Sequence, residues 1–166
     1  MGELKMKKIA IFVDVQNIYY TVRQAYQSFF NYQTFWQQLS SEYNITLANA
    51  YAIESVNSKQ KSFQKTLRNI GFEVKLKPYI QRSDGSAKGD WDVGIAIDMM
   101  DAGAREDIDK LVLLSGDGDF DRLLQRISSG NGKQTVVYGV PQLTAASLVN
   151  AASTFYPINS ALLMTK

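Results

Sequence analysis

The feature that most constrains the fold is a pair of short, continuous apolar runs. Residues 9–13 and 111–114 contain only apolar side chains, and a turn that carries an aspartate follows each run, Asp14 in one case and Asp117 in the other. Uninterrupted apolar runs of this length are typical of strands buried on both faces of a parallel sheet. The sequence therefore predicts an α/β fold in which helices cover both faces of such a sheet.

Helical and strand patterns alternate along the rest of the chain. Further strands are predicted at residues 45–53, 72–80, 135–138 and 155–158, and helices at 17–30, 32–43, 58–69, 90–104, 120–128 and 144–151. The strand at 72–80 alternates in polarity as an edge strand does, and residues 81–89 have the composition of a loop. Strands alternating with helices imply right-handed crossovers. We therefore expect one three-layer, Rossmann-like domain over residues 1–166, with its core at about 7–158 and a central, mainly parallel sheet of five or six strands.

Composition narrows the chemistry that is open to this chain. It contains no His and no Cys, which excludes thiol nucleophiles, Ser-His-Asp triads and ordinary structural zinc sites. Hydrolytic chemistry would have to use carboxylates, Lys, Tyr or Ser, or a metal held by oxygen ligands. Oxygen-only sites suit Mg²⁺ and Mn²⁺.

Charge is distributed unevenly along the chain. Residues 59–88 carry eight basic groups against two acids, whereas residues 90–121 carry ten acids against two basic groups. A basic block beside an acidic block suits a metal-dependent enzyme that acts on a polyanion. Two solvated helix faces of opposite sign would give the same pattern, so charge alone leaves both interpretations open.

Three segments concentrate the acidic residues that could carry chemistry. They are D-V-Q-N at 14–17, K-G-D-W-D-V at 88–93 with Asp98 beyond it, and S-G-D-G-D-F-D at 115–121. Asp and Asn also serve as helix caps. Taken singly, Asn17, Asp90 or Asp92, and Asp119 are each explained as a cap.

Taken together, these segments favour a metal site. Ligands of open α/β sheets bind beyond the carboxyl ends of the strands, and Asp14 and Asp117 both follow strand ends. If the two strands are adjacent, carboxylates about 4 Å apart repel by roughly 4 kcal/mol at an effective dielectric near 20. A bound dication offsets that repulsion, orients a water, and stabilises charge that develops on a phosphate.

The ordered set of three segments resembles the NYN domain of the PIN-like nuclease superfamily, and in particular its LabA-like branch. The resemblance runs from about residue 7 to residue 158 and implies a PIN-like fold with a Mg²⁺- or Mn²⁺-dependent ribonuclease site. By position it assigns the catalytic, metal-holding acids to Asp14, Asp92, Asp117 and Asp119. It implies supporting roles for Asn17, Asp98, Ser115 and Asp121.

Single-stranded RNA is the expected partner, because the resemblance implies a ribonuclease site. We expect RNA to lie along Lys59, Lys61, Lys65, Arg68 and the loop that contains Arg82 and Lys88, because phosphate contacts supply most of the affinity of such complexes. Trp91 or Tyr79 would stack a base near the metal. The alternative for Trp91 is that it packs the start of its helix on the sheet.

Other expectations concern location and assembly. No stretch reaches the roughly 18 apolar residues that a membrane span needs, and the apolar run after the N-terminal lysines is too short for a signal peptide. We therefore expect a cytoplasmic protein without a membrane partner. The aromatic residues of the N-terminal helical region suggest a homodimer contact, although core packing explains most of them.

Two other functions remain open on the sequence. One is a non-catalytic RNA-binding or regulatory protein that retains the acidic pocket. The other is a metal-dependent hydrolase of small phosphates, which is less favoured because Asp14 is followed two residues later by Gln16 and not by a second acid.

Overall fold

Six strands form one parallel sheet in the computed structural model, which describes residues 5–78, 80–81, 87–88 and 90–165. Two further strands pair with each other outside this sheet. In chain order the strands are β1 (Lys8–Asp14), β2 (Asn44–Ile53), β3 (Glu73–Lys77), β4 (Ile80–Gln81), β5 (Ala87–Lys88), β6 (Lys110–Leu114), β7 (Gln134–Gly139) and β8 (Thr154–Pro157); β4 and β5 are the separate pair. The helices are α1 (Val15–Tyr26), α2 (Tyr32–Glu42), α3 (Ser58–Ile70), α4 (Asp92–Gly103), α5 (Asp121–Asn131) and α6 (Ala146–Ala151). The order in the sheet is β3-β2-β1-β6-β7-β8, with every neighbouring pair parallel. The predicted α/β fold with a central parallel sheet is confirmed.

Side chains of β1 point alternately into two hydrophobic cores. Ile9, Ile11 and Val13 pack with buried residues of α1, α2 and α3, whereas Ala10 and Phe12 pack with those of α4, α5 and α6. Because both faces are covered, the strand carries apolar residues at every position, as the sequence pattern indicated. Among the described residues, no helix has the length and apolar character needed to cross a bilayer.

The strand order places a crevice beside β1. The chain builds β2 and β3 outward on one side of β1, then returns to build β6, β7 and β8 on the other side. Val13 pairs with Leu114, so β1 and β6 end at the same level of the sheet. The segments that leave them run to opposite faces, since α1 packs in one core and α5 in the other. Such a switch point is where open α/β sheets bind their ligands.

Two predicted boundaries are wrong for local backbone reasons. The helix predicted at 17–30 ends at Tyr26, because Gln27 adopts the left-handed conformation with φ of 53°. The helix predicted at 120–128 runs past Gly130 to Asn131 and is capped by Gly132, whose φ of 67° suits a residue without a Cβ.

The predicted strand at 72–80 is shorter than expected. Regular pairing is confined to β3, which lies at the sheet edge as predicted. Pro78 follows directly, and proline has no N–H to donate to a strand ladder. Ile80–Gln81 pairs with Ala87–Lys88 in a separate antiparallel ribbon, within a segment that the sequence predicted as loop from residue 81.

Candidate metal centre

Three carboxylates from distant parts of the chain meet at the crevice. Asp14 ends β1, Asp117 follows β6, and Asp92 is the first residue of α4. One carboxylate oxygen from each lies within 4.8 Å of the others. Asp14 is buried, and the other two are partly exposed. The cluster therefore brings together the ends of two adjacent strands and the start of α4, which lies on the opposite face of the sheet from α1.

Hydrogen bonds hold the two strand-end turns in this position. Ser115 is fully buried, and its hydroxyl donates to Asp14 Oδ2 (3.2 Å) and accepts from the backbone N–H of Asp117 (3.1 Å). The side-chain oxygen of Asn17 accepts a bond from the backbone N–H of Gly116 (2.8 Å). Ser115 and Asn17 thus connect the turn after β1 to the turn after β6.

Of the caps that the sequence suggested, only Asp90 accepts a hydrogen bond at a helix start, from the backbone N–H of Asp92 (3.4 Å). The other caps at this site are residues that the sequence did not suggest. Asp14 caps α1 by accepting from the N–H of Asn17 (3.4 Å), and Asp117 accepts from the N–H of Asp119 (2.9 Å). Asn17 and Asp119 are therefore not caps. Each carboxylate oxygen has two lone pairs, so capping leaves Asp14 and Asp117 able to bind a cation.

Burial and repulsion between the carboxylates make it unfavourable for all the acids of the cluster to be ionised at once. Burial raises the pKa of Asp14 to about 6, and the charges of Asp117 and Asp90 add to this effect, while bonds from Asn17 and Ser115 oppose it. Burial also raises the pKa of Asp92 to about 7, together with its hydrogen bond to Asp117 and the Asp117 charge. A dication would favour the charged carboxylates. The all-oxygen donor set fits Mg²⁺ or Mn²⁺.

Asp119 and Asp121 lie on the turn that leaves β6. Asp119 is exposed and does not belong to the group of three, and Asp121 is half-buried with one oxygen facing the backbone N–H of Arg122. Their assignments as a metal-holding acid and a supporting residue, respectively, remain predictions.

Asp98 belongs to a second polar network between α4 and the sheet. Its Oδ2 accepts from the Tyr51 hydroxyl (2.8 Å) and from the Lys75 ammonium (2.9 Å). The Tyr51 hydroxyl in turn accepts from the side-chain amide of buried Asn49 (3.1 Å). Asp98 therefore ties α4 to β2 and β3, next to the acids at the start of the same helix.

Trp91 makes the contacts expected of a residue that packs the start of α4 on the sheet. Its indole N–H donates to the carbonyl oxygen of Ala52 (2.7 Å), and its ring centroid lies 5.3 Å from that of Tyr51. The Lys77 ammonium lies 4.8 Å from the ring centroid. Trp91 remains half-exposed, so base stacking stays a prediction.

Basic residues line α3, and three of them, Lys61, Lys65 and Arg68, form a row along one side because they are spaced i, i+4 and i+7. Lys59, Lys61, Lys65 and Arg68 are all exposed. Lys61 and Arg68 line an open groove of about 760 Å³ between α3 and the end of β3, together with exposed Val56 and Leu76.

The remaining RNA-binding predictions lie in the segment between β3 and α4. Arg82 and Tyr79 fall outside the described residues. The structure places Lys88 only as part of β5, and its side chain is outside the described part.

Sequence reasoning did not single out Tyr32, whose pKa is affected by burial and by the charge of Asp14. Burial raises its pKa, and the negative charge of Asp14 adds to the effect, which places the hydroxyl within electrostatic reach of the cluster. The ring packs edge-on against Phe63 and Phe72. Nothing in its sequence context distinguishes Tyr32 from the neighbouring aromatic residues that only pack.

The aromatic residues of the N-terminal region divide into two sets. Phe30 and Phe35 are buried, whereas Tyr19, Tyr20 and Phe29 are exposed, and the Tyr19 ring contacts the other two. A homodimer contact through the exposed set remains a prediction.

Comparisons with known proteins identify the family and the fold of this chain. A relative described as "Low amplitude and bright protein LabA", from Synechococcus elongatus, is 29% identical over 160 residues, which are 92% of this chain and 84% of the relative. The crystal structure of VPA0982, a protein of unknown function from Vibrio parahaemolyticus, matches with a TM-score of 0.91 at 50% identity, over 99% of this chain and 100% of that one. Residues 8–159 match the sequence model of the NYN domain. The resemblance seen in the three acidic segments is thereby confirmed, and this chain belongs to the NYN domain family.

Proposed function

We propose that this protein is a metal-dependent ribonuclease that hydrolyses phosphodiester bonds in single-stranded RNA. The observation that carries the proposal is the convergence of Asp14, Asp92 and Asp117, with ligand oxygens within 4.8 Å of one another. Membership of the NYN family, which suggests a PIN-like nuclease, supports the same reaction class.

The residues of the cluster divide the work of such a site. Asp14, Asp92 and Asp117 would hold Mg²⁺ or Mn²⁺, and Asp119 would act as a fourth acid from the exposed side. A bound dication supplies charge neutralisation at the phosphate and lowers the pKa of a water. Ser115 and Asn17 keep the acids in place, since they tie the two turns together.

The substrate would approach over α3. A polyanion is attracted by the exposed basic residues Lys59, Lys61, Lys65 and Arg68, and Arg82 and Lys88 are proposed to extend that surface. The groove beside α3 and the acid cluster both lie at the carboxyl end of the sheet. Asp14 pairs in register with Tyr51, near the carboxyl end of β2, and the groove begins just beyond that strand. Trp91, at the start of α4, contacts β2, and β2 lies between β3 and β1 in the sheet.

The test is cleavage of single-stranded RNA by the purified chain with Mn²⁺ or Mg²⁺. Activity should need the cation and stop with a chelator. It should fall by orders of magnitude in Asp14→Asn and Asp117→Asn, because each removes a charged ligand. Asp101→Asn, an exposed acid on α4, is the matched control and should cleave normally. Full activity in both cluster variants would refute the proposal.

One observation favours a second candidate, a non-catalytic RNA-binding or regulatory protein. Asp119 stands outside the group of three acids, and three ligands suffice to hold a cation without supporting catalysis. This candidate predicts RNA binding without turnover, and binding that survives both Asp→Asn substitutions. Hydrolysis of small phosphomonoesters in place of RNA would favour a phosphatase over both.

A further inference from the structure

A second cavity lies away from the acid cluster, on the sheet face covered by α1, α2 and α3. It encloses about 350 Å³ between the C-terminal half of α2, strands β6 to β8 and the 3₁₀ turn at Ser160–Leu162. Val112 and Val136 line it from the sheet, and Leu39 lines it from α2. Its size falls within the range of small-ligand pockets, about 300–1,000 Å³.

Aromatic rings give the cavity flat surfaces. Tyr138 and Tyr156 are stacked, with ring centroids 5.1 Å apart and planes inclined by 27°. Tyr156 remains 46% exposed, so part of its surface is open to a ligand. Tyr43 contributes a third ring to the lining. Planar heterocycles stack on such rings.

The polar groups of the cavity are of opposite charge. Glu42 and Lys110 both line it, and neither forms an ion pair with a described residue. The Lys110 ammonium donates a 3.3 Å hydrogen bond to the Tyr43 hydroxyl oxygen. This bond uses one of the three N–H donors of the ammonium. Burial raises the pKa of Tyr138 to about 12, and the charges of Tyr156, Tyr43 and Glu42 add to the effect.

We propose that this cavity binds a guanine base, with the ring on Tyr156, the N–H edge at Glu42 and the ring carbonyl at Lys110. A carboxylate only accepts hydrogen bonds and an ammonium only donates them. Guanine carries two N–H donors and a carbonyl acceptor on one edge, and thus matches both groups at once. Adenine offers one amino group beside a bare ring nitrogen. Uracil offers one N–H between two carbonyls, so only guanine presents two adjacent donors to the carboxylate. The inference does not rest on the proposed ribonuclease activity, because none of the clustered acids lines this cavity.

The test is titration of the full chain with guanosine, adenosine and uridine, followed by calorimetry. Nucleosides carry no phosphate, and a chelator keeps cations from recruiting ligands to the acid cluster. Guanosine should bind at least about tenfold more tightly than the other two, since a site built for hydrogen-bond donors rejects ligands that lack them. Equal affinity for all three nucleosides, or no binding of guanosine at its solubility limit, would overturn the proposal.

Substitutions separate this cavity from the metal centre. Glu42→Gln and Lys110→Met should each weaken guanosine binding about tenfold or more, since each leaves a hydrogen bond of the base unmade. Glu106→Gln, at an exposed acid outside the cavity, should leave it unchanged. Asp117→Asn should also bind guanosine normally even if it has lost RNA cleavage. Unchanged guanosine affinity in both Glu42→Gln and Lys110→Met would contradict the assignment.

Discussion

The side-chain oxygen of Asn17 accepts a 2.8 Å hydrogen bond from the backbone N–H of Gly116, across 99 positions of sequence. This hydrogen bond joins the first turn of α1 to the turn after β6. Asp14 and Asp117 flank the two partners, so the relative position of these carboxylates depends on it.

Substitution of Asn17 by Ala should weaken the metal centre without removing a proposed ligand. The two turns would lose their direct link, and loss of a supporting hydrogen bond at a metal site commonly costs about 10–100-fold in affinity or activity. Titration with Mn²⁺ measures the affinity, and a cleavage assay measures the rate. Gln24→Ala, an exposed position on the same helix, is the control. Wild-type Mn²⁺ affinity in Asn17→Ala would exclude this role.

Gly116→Ala should destabilise the fold. A Cβ at this position would lie 2.5 Å from the carbonyl oxygen of Leu143 and 3.2 Å from Thr144 Cα, so the backbone must shift. Such overpacking costs about 1–3 kcal/mol, which thermal or urea unfolding would detect. At Gly130, within α5, the nearest atom would be 3.5 Å away, and Gly130→Ala should be neutral or stabilising. Equal stability of the two variants would show that the close approach is relieved at no cost.

The metal-free protein should lose stability as the pH rises from about 4 to about 7. The pKa of Asp14 is about 6 in the folded chain against an ordinary 3.8. The folded state therefore binds more protons in this window, and deprotonation of Asp14 alone costs about 3 kcal/mol. The raised pKa of Asp92 acts in the same direction. Urea unfolding across this pH range, in the presence of chelator, measures the effect.

Two comparisons identify the source of that pH dependence. Asp14→Asn should be more stable than the wild type at neutral pH without metal, and less dependent on pH, because a neutral amide replaces a buried charge. Saturating Mg²⁺ should stabilise the wild type most near neutral pH, since a cation that binds only the folded state adds to its stability. Stability that rises with pH in the absence of metal would contradict the assignment.

A comparison of Asp119→Asn with Asp117→Asn should distinguish an acid that binds the cation from one that acts on the substrate. Asp117 belongs to the group of three acids, whereas Asp119 is exposed and outside it. Mn²⁺ affinity, measured by calorimetry, should therefore fall far more in Asp117→Asn. If Asp119→Asn keeps its Mn²⁺ affinity and loses cleavage, Asp119 acts on the substrate and not on the cation. Equal loss of affinity in the two variants would make Asp119 a ligand.

The double substitution Lys61→Ala and Arg68→Ala should reduce the salt dependence of RNA binding. Both residues are exposed on α3 and line one groove. Removal of one phosphate-binding cation flattens the slope of log K against log salt by about 0.7 for a single strand. The matched control is Arg122→Ala with Arg126→Ala, two exposed residues of α5 on the opposite side of the sheet. An identical effect of the two pairs would show that general charge, and not the α3 row, attracts the RNA.

The local sequence pattern determined the sheet and its two acidic strand ends. Residues 9–13 and 111–114 are apolar at every position because helices cover both faces of the strands, so burial is readable from composition alone. The pattern therefore placed Asp14 and Asp117 at strand ends. The parallel pairing of β1 with β6 brings these two ends together at the carboxyl end of the sheet. The edge position of β3 was equally readable, since its charged residues alternate with apolar ones.

Only the tertiary structure decided which other side chains meet. Asp92 joins Asp14 and Asp117, whereas Asp98, six residues further along the same helix, turns to Tyr51 and Lys75. The cavity lined by Tyr43, Lys110 and Tyr156 draws on three separate elements, and no local pattern marks it. Periodicity reports which face of an element is buried. The distance between two side chains depends instead on how their elements pack across the sheet, and residues far apart in sequence set that packing.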